Sequence, residues 1–171
     1  NIERSIAHCV YLEIGADSFF IDVELGLPEL LGVVAPVPGL EIGGDLDLSG
    51  SAVTVLPRGL MVGGTLSCAE LPIRSLPEDL AVGESLAAQW TPLRTVPAGI
   101  RVGDRLDLTG CPLEELPAGL TVGGRLVLTG TPLPGLPRSL TVGTYLDLSG
   151  SRITEIPEDL EAYGVILDGR E

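Results

Sequence analysis

The sequence contains no lysine, and Asn1 is its single asparagine. A GC-rich genome that disfavours AA-starting codons accounts for both at once; the alternative, a chain that avoids ubiquitination, accounts for the missing lysine, the usual acceptor. Positive charge is scarce throughout. Ten arginines stand against 24 acidic residues, and the formal net charge is −14. This balance argues against binding a nucleic-acid backbone or an anionic membrane surface. It favours a protein partner with a basic surface. Long apolar runs are absent too. The longest uncharged stretch, Leu126 to Pro137, has twelve residues and three prolines, so no membrane-spanning helix fits there. The opening Asn1-Ile2-Glu3-Arg4 lacks the basic-then-apolar order of a signal peptide. A start on Asn1 and not on methionine points to a processed or excised segment.

Metal-binding and catalytic residue types are equally sparse. His8 is the only histidine, and the three cysteines, Cys9, Cys68 and Cys111, form no Cys-x-x-Cys pair. A zinc site is therefore not expected. A nucleophilic His8–Cys9 pair is disfavoured because adjacent residues in a strand face opposite ways. No Gly-x-x-x-x-Gly-Lys phosphate loop exists, and no lysine could complete one. No cofactor, metal or catalytic residue is expected, and the chain is read as a non-enzyme.

What the sequence does hold is a repeat. Its 171 residues are 44% hydrophobic, enough for one domain with a real core. Prolines recur every twenty residues at Pro57, Pro77, Pro97, Pro117, Pro137 and Pro157. Leucines recur in register at Leu46, Leu66, Leu86, Leu106, Leu126 and Leu146, and a valine or isoleucine followed by glycine recurs from Ile42-Gly43 to Val142-Gly143. Around Leu126 and Leu128 the pattern has period two, which predicts a short strand with those leucines inward and Arg125, Val127 and Thr129 outward. The Leu-Pro-x-x-Leu piece is too short for a helix, so an extended or single-turn segment is expected on the opposite side. Paired glycines such as Gly123-Gly124 supply a tight bend into the next strand. Each unit is then one coil of a solenoid, and no coil can bury its leucines alone. The expectation is about six twenty-residue coils with a parallel strand ladder. Residues 1–36 are expected to form an N-terminal cap, with Phe19 and Phe20 plugging the core and Val23-Glu24-Leu25 as a degenerate rung. Residues 37–160 carry the repeats, and residues 161–171 are a C-terminal partial repeat, with Val165-Ile166-Leu167 in strand register.

These residues resemble the leucine-rich-repeat family. The core motif is carried as Gly123-x-x-Leu126-x-Leu128-x-x-Thr131-x-Leu133, with glycine where the family's first leucine stands. The column at the family's asparagine reads Ser51, Leu71, Thr91, Cys111, Thr131, Ser151, so hydroxyls and a thiol are expected to cap backbone groups inside the coil. The period and the Leu-Pro opening are similar to the short bacterial class found in effectors delivered into host cells. The resemblance implies a β-solenoid of the leucine-rich-repeat type, a recognition role, and residence in a bacterial cytoplasm or a host cell. Effector ubiquitin ligases that share the repeat carry a separate domain with a catalytic Cys-x-Asp. Cys68-Ala69-Glu70 comes nearest to that motif here, with its cysteine toward the core. The alternatives are therefore the substrate-recognition fragment of a larger enzyme, or an acidic inhibitor or immunity protein.

The candidate partner-binding residues lie on the outward strand face, where the coil does not dictate side chains. They are Gln89, Trp90, Arg105, Asp107, Arg125, Tyr145 and Asp147. Arginine and tyrosine dominate interface energetics. Trp90 is the one tryptophan, and it stands where Gly50, Gly110, Gly130 and Gly150 stand in other units. It reads either as a partner anchor or as a cover for an irregular coil that also has Ala88 in place of leucine.

Overall fold

The chain is described by a computed structural model. The described residues are 9–14 and 17–22, for the backbone, and 39–51 and 53–167 in full. The repeat winds into a parallel β-solenoid of about six turns. Each turn contributes a strand to each of two sheets. The first sheet runs through β3 (Glu41–Ile42), β5 (Met61–Val62), β7 (Ala81–Val82), β9 (Arg101–Val102), β11 (Thr121–Val122) and β13 (Thr141–Val142). The second runs through β4 (Leu46–Asp47), β6 (Leu66–Ser67), β8 (Leu86–Ala87), β10 (Leu106–Asp107), β12 (Leu126–Val127), β14 (Tyr145–Asp147) and β15 (Gly164–Ile166).

The second sheet is the ladder expected from the leucine column. Leu106 pairs with Leu86 on one side and Leu126 on the other, all parallel. The first sheet was not foreseen. Its signal was present, because buried Leu120 and Val122 flank outward Thr121 with the same alternation that Leu126 and Leu128 show. The Pro-x-x-Leu segments are single turns, closed by N–H to C=O bonds such as Leu80 to Pro77 (3.3 Å) and Leu120 to Pro117 (3.3 Å).

Glycine is required at the corner between the sheets. A Cβ at Gly103 would lie 1.9 Å from the Gly83 carbonyl oxygen, and one at Gly143 would lie 1.8 Å from that of Gly123. The coils stack so closely there that backbone touches backbone. Inside, the leucine and valine columns form one continuous core, with Leu66, Leu86, Leu106 and Leu126 wholly buried. Burying each such side chain contributes about 2 kcal/mol.

The two ends depart from the period. At the N-terminal end β1 (Cys9–Ile14) and β2 (Asp17–Asp22) form an antiparallel hairpin, and β1 runs antiparallel to β3 at the edge of the first sheet. The side chains of Phe19 and Phe20 and the rung expected at Val23–Leu25 lie outside the described residues. At the other end β15 pairs Val165 with Leu146, not Ile166 with Leu146 as a strict period would have it. The final coil is one residue short. Val165 and Leu167 pack on the core as a result.

Candidate functional site

The outer face of the second sheet holds five of the seven sequence candidates on three adjacent strands. Asp107, Val127 and Asp147 stand in register on β10, β12 and β14. Each aspartate is held by its own strand two residues on. The Thr109 N–H and hydroxyl donate to Asp107 Oδ1 at 3.1 and 2.6 Å. The Ser149 N–H and hydroxyl donate to Asp147 Oδ1 at 3.1 and 2.7 Å. Asp47 receives the Ser49 N–H in the same way at 2.9 Å. The sequence signature of this device is Asp-Leu-Ser/Thr-Gly.

The second carboxylate oxygen of Asp107 and of Asp147 holds an arginine. Arg105 Nη2 donates to Asp107 Oδ2 at 2.5 Å within one strand. Arg125 Nη2 donates to Asp147 Oδ2 at 2.5 Å across to the next coil. Burial pushes both carboxyls up, but the hydrogen bonds from Thr109 and Arg105, and from Ser149 and Arg125, outweigh it. Both groups are held below the ordinary aspartate range, so they remain charged at neutral pH and fix the guanidinium groups. The aspartates themselves are buried, Asp107 to 3% exposure, while the arginine side chains keep 46% and 40%. A partner would thus meet Arg105 and Arg125, with Asp107 and Asp147 as their internal anchors. Val127 also becomes buried although it stands apart from the core cluster. It lies between the two aspartates, beside the arginine that spans to Asp147.

Tyr145 borders this set on β14 and makes an edge-to-face contact with Tyr163, with ring centroids 5.4 Å apart. Tyr163 is 81% exposed and was missed by sequence reasoning. Its signal was available: it occupies the corner column that is glycine from Gly43 to Gly143.

Gln89 and Trp90 sit in the turn at the far end of the face, four and five positions beyond the arginine column. The Trp90 ring lies over the next coil, where a Cβ on Gly110 would come 2.2 Å from its Cε3. The ring nevertheless remains 63% exposed. Its backbone is left-handed (φ 58°), as are Gly50, Gly110, Gly130 and Gly150 in the same column. Glu70, the sixth member, is left-handed too (φ 61°) and was likewise missed, although it stands in the same glycine column. Gln89 Oε1 is buried and has no donor among the described residues.

Inside the coil, the hydroxyl column caps backbone carbonyls. The Thr91 hydroxyl donates to the Ala88 carbonyl at 2.8 Å, and that of Thr131 to the Leu128 carbonyl at 2.9 Å. The Cys111 thiol also donates to the Ala88 carbonyl at 3.1 Å. Cys68 and Cys111 are both buried free thiols. Burial, with a smaller contribution from Cys111, pushes the Cys68 thiol up to about 12. Burial also raises Cys111 against the lowering effect of Thr91. Neither is a thiolate at neutral pH. Cys9 and His8 lie outside the residues whose side chains are described. Among the described residues, no group of three His, Cys, Asp or Glu side chains could hold a metal ion. No protein-family model, curated protein or solved structure matches the chain.

Proposed function

We propose that this chain is a non-catalytic recognition module that presents the outer face of its second sheet to a protein partner. The observation that carries the reading is the fixed pair Arg105 and Arg125. Each is pinned by a buried aspartate and half exposed, and Tyr145 stands one coil beyond Arg125 in the same column. Side chains held in place before contact lose little ordering entropy on binding. Exposed tyrosine and tryptophan on the same side supply anchors of the type that dominate interfaces. The excess of acid over base favours a partner with a basic surface and association that weakens as salt rises. By resemblance to leucine-rich repeats, the setting is a bacterial effector or effector-like protein.

The test is capture from bacterial and eukaryotic lysates by the wild-type chain and by two variants. Arg125→Ala with Tyr145→Ala should lose the captured protein. Arg94→Ala, whose exposed pairing with Glu114 lies outside the candidate face, should retain it. Equal capture by all three chains would contradict the assignment of the face. Substrate turnover by the isolated chain would contradict the non-catalytic reading.

A further inference from the structure

We propose that the outer side of the first sheet carries a groove for a small aliphatic carboxylate, with the hydrocarbon seated at Ala81 and the carboxylate on Arg101. This site is separate from the recognition face and lies on the other side of the glycine corner. Met61, Ala81 and Arg101 stand in register on β5, β7 and β9. Each is the outward residue of its strand, next to a buried valine. Met61 and Arg101 are thus two strand spacings apart, about 10 Å. With only the Ala81 methyl between them, the gap is close to the width of one hydrocarbon chain. It continues onto Gly63, Gly83 and Gly103, which are exposed and add no side chains. The result is an apolar groove of about 520 Å³, within the range of small-molecule sites.

Charge and hydrogen bonding set the chemistry of the occupant. Among the described residues no acidic side chain lines the groove, and Arg101 is its one charged group. Arg101 is exposed and takes part in none of the ion pairs among the described residues. In a chain of 24 acidic residues and ten arginines, a guanidinium is left beside apolar surface with its donors open to a carboxylate. The floor does not suit a peptide. The N–H groups of Gly63, Gly83 and Gly103 are already bonded to the Ile42, Val62 and Val82 carbonyls at 2.7, 2.8 and 2.9 Å. Those of Met61 and Ala81 are bonded to the Leu40 and Leu60 carbonyls. A peptide laid along this floor would bury its own carbonyls without donors, which is costly. A hydrocarbon chain has no such groups to satisfy.

Met61 is the only methionine, so its ε-methyl resonance reports on this groove alone. The experiment follows that resonance in carbon–proton correlation spectra while the whole chain is titrated with octanoate, with octylammonium, and with acetate. Octanoate should give a saturable shift. Octylammonium, which has the tail with the opposite charge, and acetate, which has the head without the tail, should not. Arg101→Gln should weaken octanoate about fivefold, the scale of one exposed ion pair. Arg138→Gln removes an equal charge at a distant turn and should change it by less than about 1.5-fold. Ala81→Leu fills the gap from the outer side of the sheet and should abolish the octanoate shift. The proposal is overturned if octanoate gives no saturable shift, or if octylammonium or acetate matches it. Equal effects of the two arginine substitutions, or a shift that survives Ala81→Leu, would also overturn it. The captured partner takes no part in this titration, so it can fail while the recognition face stands, and the reverse.

Discussion

The indole of Trp90 occupies the space in which a side chain on Gly110 would lie, with Cε3 2.2 Å from where that Cβ would be. Two positions a full coil apart are therefore coupled. Gly110 is also left-handed (φ 69°). Gly110→Ala should cost about 1 kcal/mol for its backbone and less than about 1 kcal/mol more for turning away a ring that is 63% exposed. In a Trp90→Ala background only the backbone cost should remain. Denaturant melts of the four chains of this double-mutant cycle measure the coupling, and additive effects would show that the ring does not hold its place.

The left-handed column yields a second prediction. Glu70→Gly and Trp90→Gly should each leave thermal stability unchanged or raise it by up to about 1 kcal/mol, since glycine carries no Cβ penalty there. Calorimetric Tm values check this. A large fall for Trp90→Gly would instead make the ring a packing element of its coil.

At the corner column, space and not φ decides. Gly103→Ala should destabilise by about 3 kcal/mol, because its Cβ meets the Gly83 carbonyl. Gly43→Ala should be nearly neutral, because none of the described residues lies within 4 Å of its Cβ. Urea unfolding of the two variants compares them directly.

Asp107 and Asp147 make stability depend on acid. Their carboxyls are held below the ordinary range in the folded chain. The unfolded chain then binds more protons, so their contribution is fully present above the unfolded carboxyl value of about 3.9 and is lost as pH falls through the lower folded values. Asp107→Asn with Asp147→Asn should destabilise at neutral pH and flatten the fall in stability below about pH 4. An acid limb as steep as that of the wild type would contradict the anchoring role.

The thiols supply a fifth prediction. Cys68 and Cys111 should resist iodoacetamide at pH 8 in the folded chain and react fully in denaturant, since burial keeps both protonated. Peptide mass spectrometry resolves the two sites. Rapid labelling of either under native conditions would mean that the coil opens at that rung.

The twenty-residue leucine column made the second sheet legible, because alternation around Leu126 and Leu128 fixes which side chains turn inward. The first sheet carried the same alternation in Leu120-x-Val122, but the corner glycine that follows at once ends the pattern and made it read as part of the turn. The one-residue deletion that pairs Val165 with Leu146 was invisible, because Val165, Ile166 and Leu167 are all apolar and fit either register. At the site, residue types pointed to Arg105, Arg125 and Tyr145. The anchoring of Arg125 by Asp147 crosses from one coil to the next, a relation that no single repeat carries, whereas Arg105 reaches Asp107 within its own strand. Glu70 and Tyr163 could have been found by asking which glycine columns are broken, the question that had already singled out Trp90.

Hydroxyl-radical footprinting of the chain, free and bound to its captured partner, tests the recognition face most directly. Trp90 and Tyr145 are exposed on the strand side, and Met61 is exposed on the outer side of the first sheet. Oxidation of Trp90 and Tyr145 should fall on binding while that of Met61 stays unchanged. Protection of Met61 with Trp90 and Tyr145 still reactive would contradict the account.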